Sequence, residues 1–264
     1  MDTETADDVA ALGRRALTGA LEAVHALLAQ VAREHDAHQT DALATLARLD
    51  EPVLWNDFLG YLAGNTWRGQ HMPIARSGVT LDLRRLFVQS FGQPMQRRRT
   101  AVREALQQPS ARLRALAASL AAEVRDREAL PTALALLSDP HPEVRIAAAR
   151  VIQAVPDVTA VEALLRNMEE RDYGVRSSAV AAMRAIGRPA LLALLRRLIE
   201  RPCGSDFKIA VSHALHWLAV GADPTAIAAL VAALRSPASG VAVPVAADRI
   251  LHWYRQHAGR SVLA

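Results

Sequence analysis

Asp139-Pro140-His141-Pro142-Glu143-Val144-Arg145-Ile146-Ala147-Ala148-Ala149 and Asp172-Tyr173-Gly174-Val175-Arg176-Ser177-Ser178-Ala179 share one pattern: Asp, then Val-Arg, then Ala three residues past the Arg. The two arginines are 31 residues apart. Self-similarity at such a period marks a stacked repeat architecture, in which each unit buries its apolar face only against its neighbours. Fainter copies extend the series, with Leu113-Arg114 and Leu83-Arg84 before it and Phe207-Lys208 after it.

Working outward, apolar residues at spacings of three and four predict helices near 81–91, 95–107, 110–124, 128–137, 142–155, 158–170, 173–186, 189–200, 206–220, 224–235 and 241–257. Gly92, Pro109, Pro140, Pro156, Gly187, Pro202, Gly221 and Pro237 supply the breaks, and Ser110 and Asp157 are suited to cap helix starts. The chain of 264 residues is 51% hydrophobic but only 4% aromatic. Ala and Leu supply most of that fraction, which suits closely packed helices.

The N-terminal region reads differently. Val9, Leu12, Ala16, Ala20, Ala23, Val24, Leu27, Leu28 and Val31 form the apolar stripe of a long helix, weakened by Gly13 and Gly19, which reads as a cap on the array. Shorter helices are expected near 41–49 and 52–63. From Gly64 to Gly78 three glycines and a proline interrupt any periodicity, and a loop of this length inside an array draws attention to Trp67, Arg68, His71 and Arg76. The expected organisation is therefore a helical cap over 1–49, a solenoid over 50–257 with a loop insertion near 64–79, and a tail over 258–264.

Net charge is +4, unevenly spread. Residues 1–60 carry eleven acidic and four basic side chains, whereas 61–114 carry ten arginines against Asp82 and Glu104. This asymmetry fits either an acidic partner or an internal match between the acidic start and the basic middle. Gln96-Arg97-Arg98-Arg99-Thr100 opens a helix with three cations where the helix dipole favours anions, a local cost that an acidic group or nucleic-acid phosphate would offset. The start lacks a basic and apolar leader, no run approaches a membrane span, and Cys203 is the single cysteine, so a cytoplasmic location is expected.

Asp139-Pro-His-Pro-Glu-Val-Arg145-x-x-Ala148 and Asp172-x-x-Val-Arg176-x-x-Ala179, with Ala185-Ile186-Gly187 closing the second, resemble the HEAT repeats of the phycobilisome-lyase type, most strongly over 138–187. The resemblance implies an all-α, right-handed α-α superhelix of about six helix pairs. It also implies that Asp139 and Asp172 sit at starts of second helices and meet Arg145 and Arg176 in a structural ladder. HEAT-like folds offer binding surfaces more than chemistry, and no lyase residues are identifiable here.

Other constellations are weaker. Leu215-His216-Trp217 recurs as Leu251-His252-Trp253, so that two His-Trp pairs would line the end of a concave face. His213, His216 and His252, with Cys203, would supply imidazole and thiolate ligands to a zinc ion only if they converged, and no compact ligand spacing supports that. Trp55-Asn56-Asp57 offers residue types seen in HEAT-like DNA glycosylases, without an assignable set, and His25, His35 and His38 carry no role. No phosphate loop, nucleophile elbow or paired-cysteine motif occurs. The expected function is a non-enzymatic scaffold or adaptor that needs no cofactor or metal and binds another protein, acidic in character, on the concave face of the solenoid and away from any membrane. Its expected contacts are Trp67, Arg68, His71, Arg76, Arg97, Arg98, Arg99, Arg150, Arg184, His216, Trp217, His252 and Trp253. The alternatives are nucleic-acid binding through the arginine patch, or a lyase- or glycosylase-type enzyme.

Overall fold

The computed structural model describes residues 3–17, 22–23, 26–27, 41–42, 45, 96–218 and 223–257. Regular structure among these residues is helical throughout. The helices expected near 52–63 and 81–91, the 64–79 segment with Trp67, Arg68, His71 and Arg76, residues Trp55 to Asp57, His25, His35 and His38, and the tail lie outside the described residues. The chain divides into two compact units, Met1–Ala129 and Leu130–Ala264.

In the first unit, α1 (Thr3–Leu17) buries Val9, Gly13 and Ala16 on one stripe. Gly13 is required there by space, because a Cβ at that position would come 2.6 Å from Thr45 Cγ2. Helix α2 (Gln96–Ala105) packs on α3 (Ala111–Glu123). The contact is made largely of small side chains, with Ala101, Val102 and Ala105 facing Ala117, Ala118 and Ala121 in the buried layer. Ser110 caps α3, its Oγ accepting a hydrogen bond from the Leu113 amide at 3.4 Å. A two-pronged ion pair then ties α2 to the turn after α3. Arg103 Nε donates to Asp126 Oδ2 at 2.9 Å and a terminal nitrogen to Oδ1 at 3.1 Å, with Glu128 also in reach. Asp126 is only 2% exposed. The hydrogen bond to Asp126 is the main cause that raises the Arg103 pKa, against the opposing effect of burial.

The second unit stacks helix pairs. Its elements are α4 (Leu130–Leu136), α5 (Pro142–Ala154), α6 (Val161–Met168), α7 (Tyr173–Ile186), α8 (Arg188–Glu200), α9 (Ser205–Leu218), α10 (Pro224–Arg235) and α11 (Ser239–Gln256). Helices α4 with α5, α6 with α7, and α8 with α9 form antiparallel-type pairs in sequence, and the second helices α5, α7 and α9 pack on one another in order. The buried residues keep the repeat phase: Val144, Val175 and Phe207 occupy one level, Ala148, Ala179 and Val211 the next, and Ile152, Met183 and Leu215 a third. Alanine at so many core positions lets helix backbones approach closely, so dispersion and apolar burial dominate the stacking.

A repeated hydrogen-bond device marks the start of α3, α5 and α7. Arg114 donates to Gln108 O and Pro109 O at 2.8 and 2.7 Å, Arg145 to Asp139 O and Pro140 O at 2.7 and 3.1 Å, and Arg176 to Glu170 O and Arg171 O at 2.8 and 2.7 Å. Each guanidinium thus satisfies carbonyls five and six residues back, which the turn into the helix would otherwise leave bare. Arg145 also reaches Glu170 at 3.4 Å and Arg176 reaches Asp206 at 3.2 Å, each an acid of the following repeat. At the corresponding level Lys208 donates to Ser239 Oγ at 2.6 Å, so the lysine ties α9 to the start of α11. Asp172 caps α7 by accepting from the Val175 amide at 2.9 Å, while Asp139 Oδ1 accepts from the His141 amide at 2.9 Å.

The array changes at its C-terminal end. Helix α11 takes α8 and α10 as its principal neighbours, whereas α9 is the neighbour expected from the regular pattern. Pro244 lies inside α11 without ending it. Gly187 alone connects α7 to α8, with φ 79° and ψ −135°, a conformation that an L side chain resists.

Candidate functional site

The second helices are amphipathic, so their outward faces should be polar; on α7 and α9 three large side chains break that rule. Tyr173 on α7 is 67% exposed, and Ile209 and Trp217 on α9 are 49% and 50% exposed. Ile209, His213 and Trp217 recur at intervals of four and so form one ridge along α9. Between this ridge and α7 lies a cavity of about 260 Å³, lined on the α7 side by Tyr173, Arg176, Val180 and Arg184. On the other flank of the ridge a wider hollow of about 630 Å³ opens against α10, where Ile227, Val231, Leu234 and Arg235 form its far wall.

Electrostatics set the character of this surface. The Arg184 guanidinium lies over the Trp217 ring, 4.2 Å from its centroid, and His216 presents its ring edge-on to the same tryptophan at 4.8 Å. Trp217 is therefore held between two α9 and α7 side chains with an open edge to solvent. The basic residues that line the two hollows are Arg176, Arg184, Lys208, His213, His216 and Arg235, and no carboxylate lines either one. Arg176 is already matched by Asp206 and Lys208 by the Ser239 hydroxyl. Arg184 and Arg235 have no carboxylate partner among the described residues.

The residues singled out by sequence meet different fates. Arg184, His216 and Trp217 come together at the ridge. Arg150 is exposed on α5 and lines neither hollow. His252 is exposed and hydrogen-bonded to Gln256 at 2.8 Å, and Trp253 stacks on His257 with centroids 4.4 Å apart. The ring contacts of the two His-Trp pairs are each within their own helix, His216 on Trp217 in α9 and Trp253 on Tyr254 and His257 at the end of α11. Arg97 and Arg98 lie in the first turn of α2, which holds no acidic residue, and Arg99 is half-buried. No group of three or more His, Cys, Asp or Glu able to hold a metal occurs among the described residues. Sequence reasoning passed over Tyr173, Ile209 and Arg235. The four-residue spacing Ile209, His213, Trp217 was the available signal, since large apolar groups recur there on the polar side of α9.

Among the described residues, no helix is long and apolar enough to cross a membrane. The stacked pairs, the constant register of the buried levels and the recurring arginine device define an all-α helical-repeat protein. Residues 100–184 match the family model for HEAT repeats. The match is to HEAT repeats in general and does not single out the phycobilisome-lyase type. No curated protein matches the chain.

Proposed function

We propose that this protein is a non-enzymatic interaction scaffold that engages another protein on the outward face of α7, α9 and α10. The observation that carries this reading is the set of exposed Tyr173, Ile209 and Trp217 lining adjoining hollows, with Trp217 braced by Arg184. Exposed large apolar groups that share one concave patch are costly to leave in water, and they are the usual anchors of protein recognition. A HEAT array presents such anchors on rigid helices, so that a partner docks without ordering the scaffold first. Arg150, His252 and Trp253, and in the other unit Arg97, Arg98, Arg99 and the Trp67, Arg68, His71 and Arg76 segment, are proposed as secondary contacts.

The test is a photo-activated crosslinking amino acid placed in cells at Ile209 and, as a control, at the exposed Glu162 on α6. Protein adducts are expected from position 209 and not from 162, and Trp217→Ala should abolish them. Adducts that are indifferent to Trp217→Ala would show that the contact lies elsewhere. A second reading, nucleic-acid binding, draws on the absence of any acid in the first turn of α2 beside Arg97 to Arg99. It requires a salt-dependent mobility shift with duplex DNA that is lost when the three arginines become glutamate.

A further inference from the structure

We propose that the occupant of this surface is an acidic amphipathic helix, with its apolar anchors set on either side of the α9 ridge. This rests on the interaction-scaffold reading and adds the chemistry of the partner. Four observations carry it. The walls that face the ridge are aliphatic, with Val180 on α7 and Ile227 and Val231 on α10. The charged side chains that line both hollows are all Arg, Lys or His, and the one acid in contact with them among the described residues, Asp206, is already taken by Arg176. Of these, Arg184 and Arg235 stand at opposite flanks and have no carboxylate partner among the described residues. Finally, Arg184 is held in place by the Trp217 ring, so a carboxylate would meet a cation whose side chain is already ordered.

The partner's form follows from length and spacing. The α7 wall runs from Tyr173 to Arg184, twelve residues of helix, which span about 16 Å at the helical rise. A helix of three turns or more fills that length and offers apolar residues three and four apart to the hollow, with Asp or Glu at the edges for Arg184 and Arg235. A basic segment would instead meet like charge at both flanks. Nucleic acid would satisfy the arginines but would place phosphodiester against Ile227, Val231 and Val180, leaving the aliphatic walls without an apolar partner.

The experiment is selection from a displayed library of random peptides of about 16 residues, roughly four helical turns, on the full-length protein. A fluorescein-labelled single-stranded oligonucleotide is titrated in parallel. The expected result is enrichment of peptides rich in Asp and Glu with Leu, Phe or Trp at helical spacing. Their affinity should fall about tenfold or more with Arg184→Glu combined with Arg235→Glu, and also with Trp217→Ala. Enriched peptides that are neutral or basic, yet lost with Trp217→Ala, would overturn the acidic partner and leave the scaffold reading standing. No enrichment, or enrichment indifferent to Trp217→Ala, would overturn both. Oligonucleotide binding that the arginine reversals abolish, without any selected peptide, would assign the surface to nucleic acid. Circular dichroism and melting confirm the fold of each variant, and Ile209→Ser serves as the second lesion should Trp217→Ala lower the melting temperature.

Discussion

Arg184 and Trp217, 33 positions apart in the chain, meet with the guanidinium carbon 4.2 Å from the indole centroid and so join α7 to α9 at the solvent edge of the stack. Both are exposed, which limits the worth of the contact to stability. Arg184→Ala should lower the unfolding free energy by no more than about 1 kcal/mol, the range of exposed cation–π pairs. Urea denaturation measures it; a loss several times larger would mean that Arg184 holds the helices together and is no ready docking group.

The Arg103–Asp126 pair belongs to the other energetic regime, because Asp126 is almost fully buried and accepts from two guanidinium nitrogens. Asp126→Leu alone should cost about 1–3 kcal/mol, because it removes the acceptor of two guanidinium bonds and of the Glu128 amide and leaves Arg103 with Glu128 as its carboxylate partner. Arg103→Met together with Asp126→Leu should recover most of that loss, since an apolar pair of similar size removes both the charge and the need for its partner. Thermal and urea unfolding of the three variants provide the comparison.

Gly187 bears a backbone conformation with positive φ between two helices. Gly187→Ala should therefore destabilise by roughly 1–3 kcal/mol although no atom stands in the way of a Cβ. Gly204→Ala, where a Cβ also meets open space and φ is ordinary, is the control and should change little. Equal effects at the two sites would show that chain entropy, not backbone strain, decides the outcome.

Asp157 is held below the usual carboxylate range, first by the Thr159 hydroxyl and then by the Thr159 amide. A depressed folded-state pKa stabilises the fold above the unfolded value of about 3.9 and loses that contribution as pH falls through the folded value. Carboxyl NMR titration should find the Asp157 midpoint on the acid side of normal, and Thr159→Val should move it back upward. A midpoint unmoved by that substitution would refute the hydroxyl's role.

Burial pushes the Cys203 thiol up, against the opposing pull of Arg197 and Lys208. Because the thiolate is the nucleophile, a raised pKa leaves less of it at neutral pH. Alkylation by iodoacetamide should be slower than for the unfolded chain in urea and should continue to accelerate above the pH at which a free cysteine levels off. A folded rate equal to the unfolded one would contradict this.

Much of the local structure was legible because its causes lie within a few residues. The Ser110 and Asp157 caps, the Pro224 to Arg235 helix and the glycine break at 187 follow from side-chain oxygens, ring constraints and apolar spacing that act over one turn. The acidic partners of the arginine series were not legible in the same way. Glu170 lies 25 residues from Arg145, and Asp206 lies 30 from Arg176, so their meeting depends on how one repeat settles on the next. The carbonyl acceptors of Arg145 and Arg176 were likewise hidden, since a sequence names side chains and not the direction of a backbone turn.

The candidate site shows the same division. Trp217, His216 and Arg184 were recognisable as unusual residues on second helices, yet Tyr173 and Ile209 gained meaning only when their exposure was known. His252-Trp253 repeats the letters of His216-Trp217, but Trp253 stacks on His257 one turn later, whereas Trp217 meets Arg184 of another helix. The sequence by itself determined the repeat period, the helices and the apolar levels that bind them, since these arise from short-range sterics and periodic burial. Which polar groups meet across repeats, and which apolar groups stay in solvent to form a surface, was decided only in the tertiary structure, because those contacts depend on the relative placement of helices tens of residues apart.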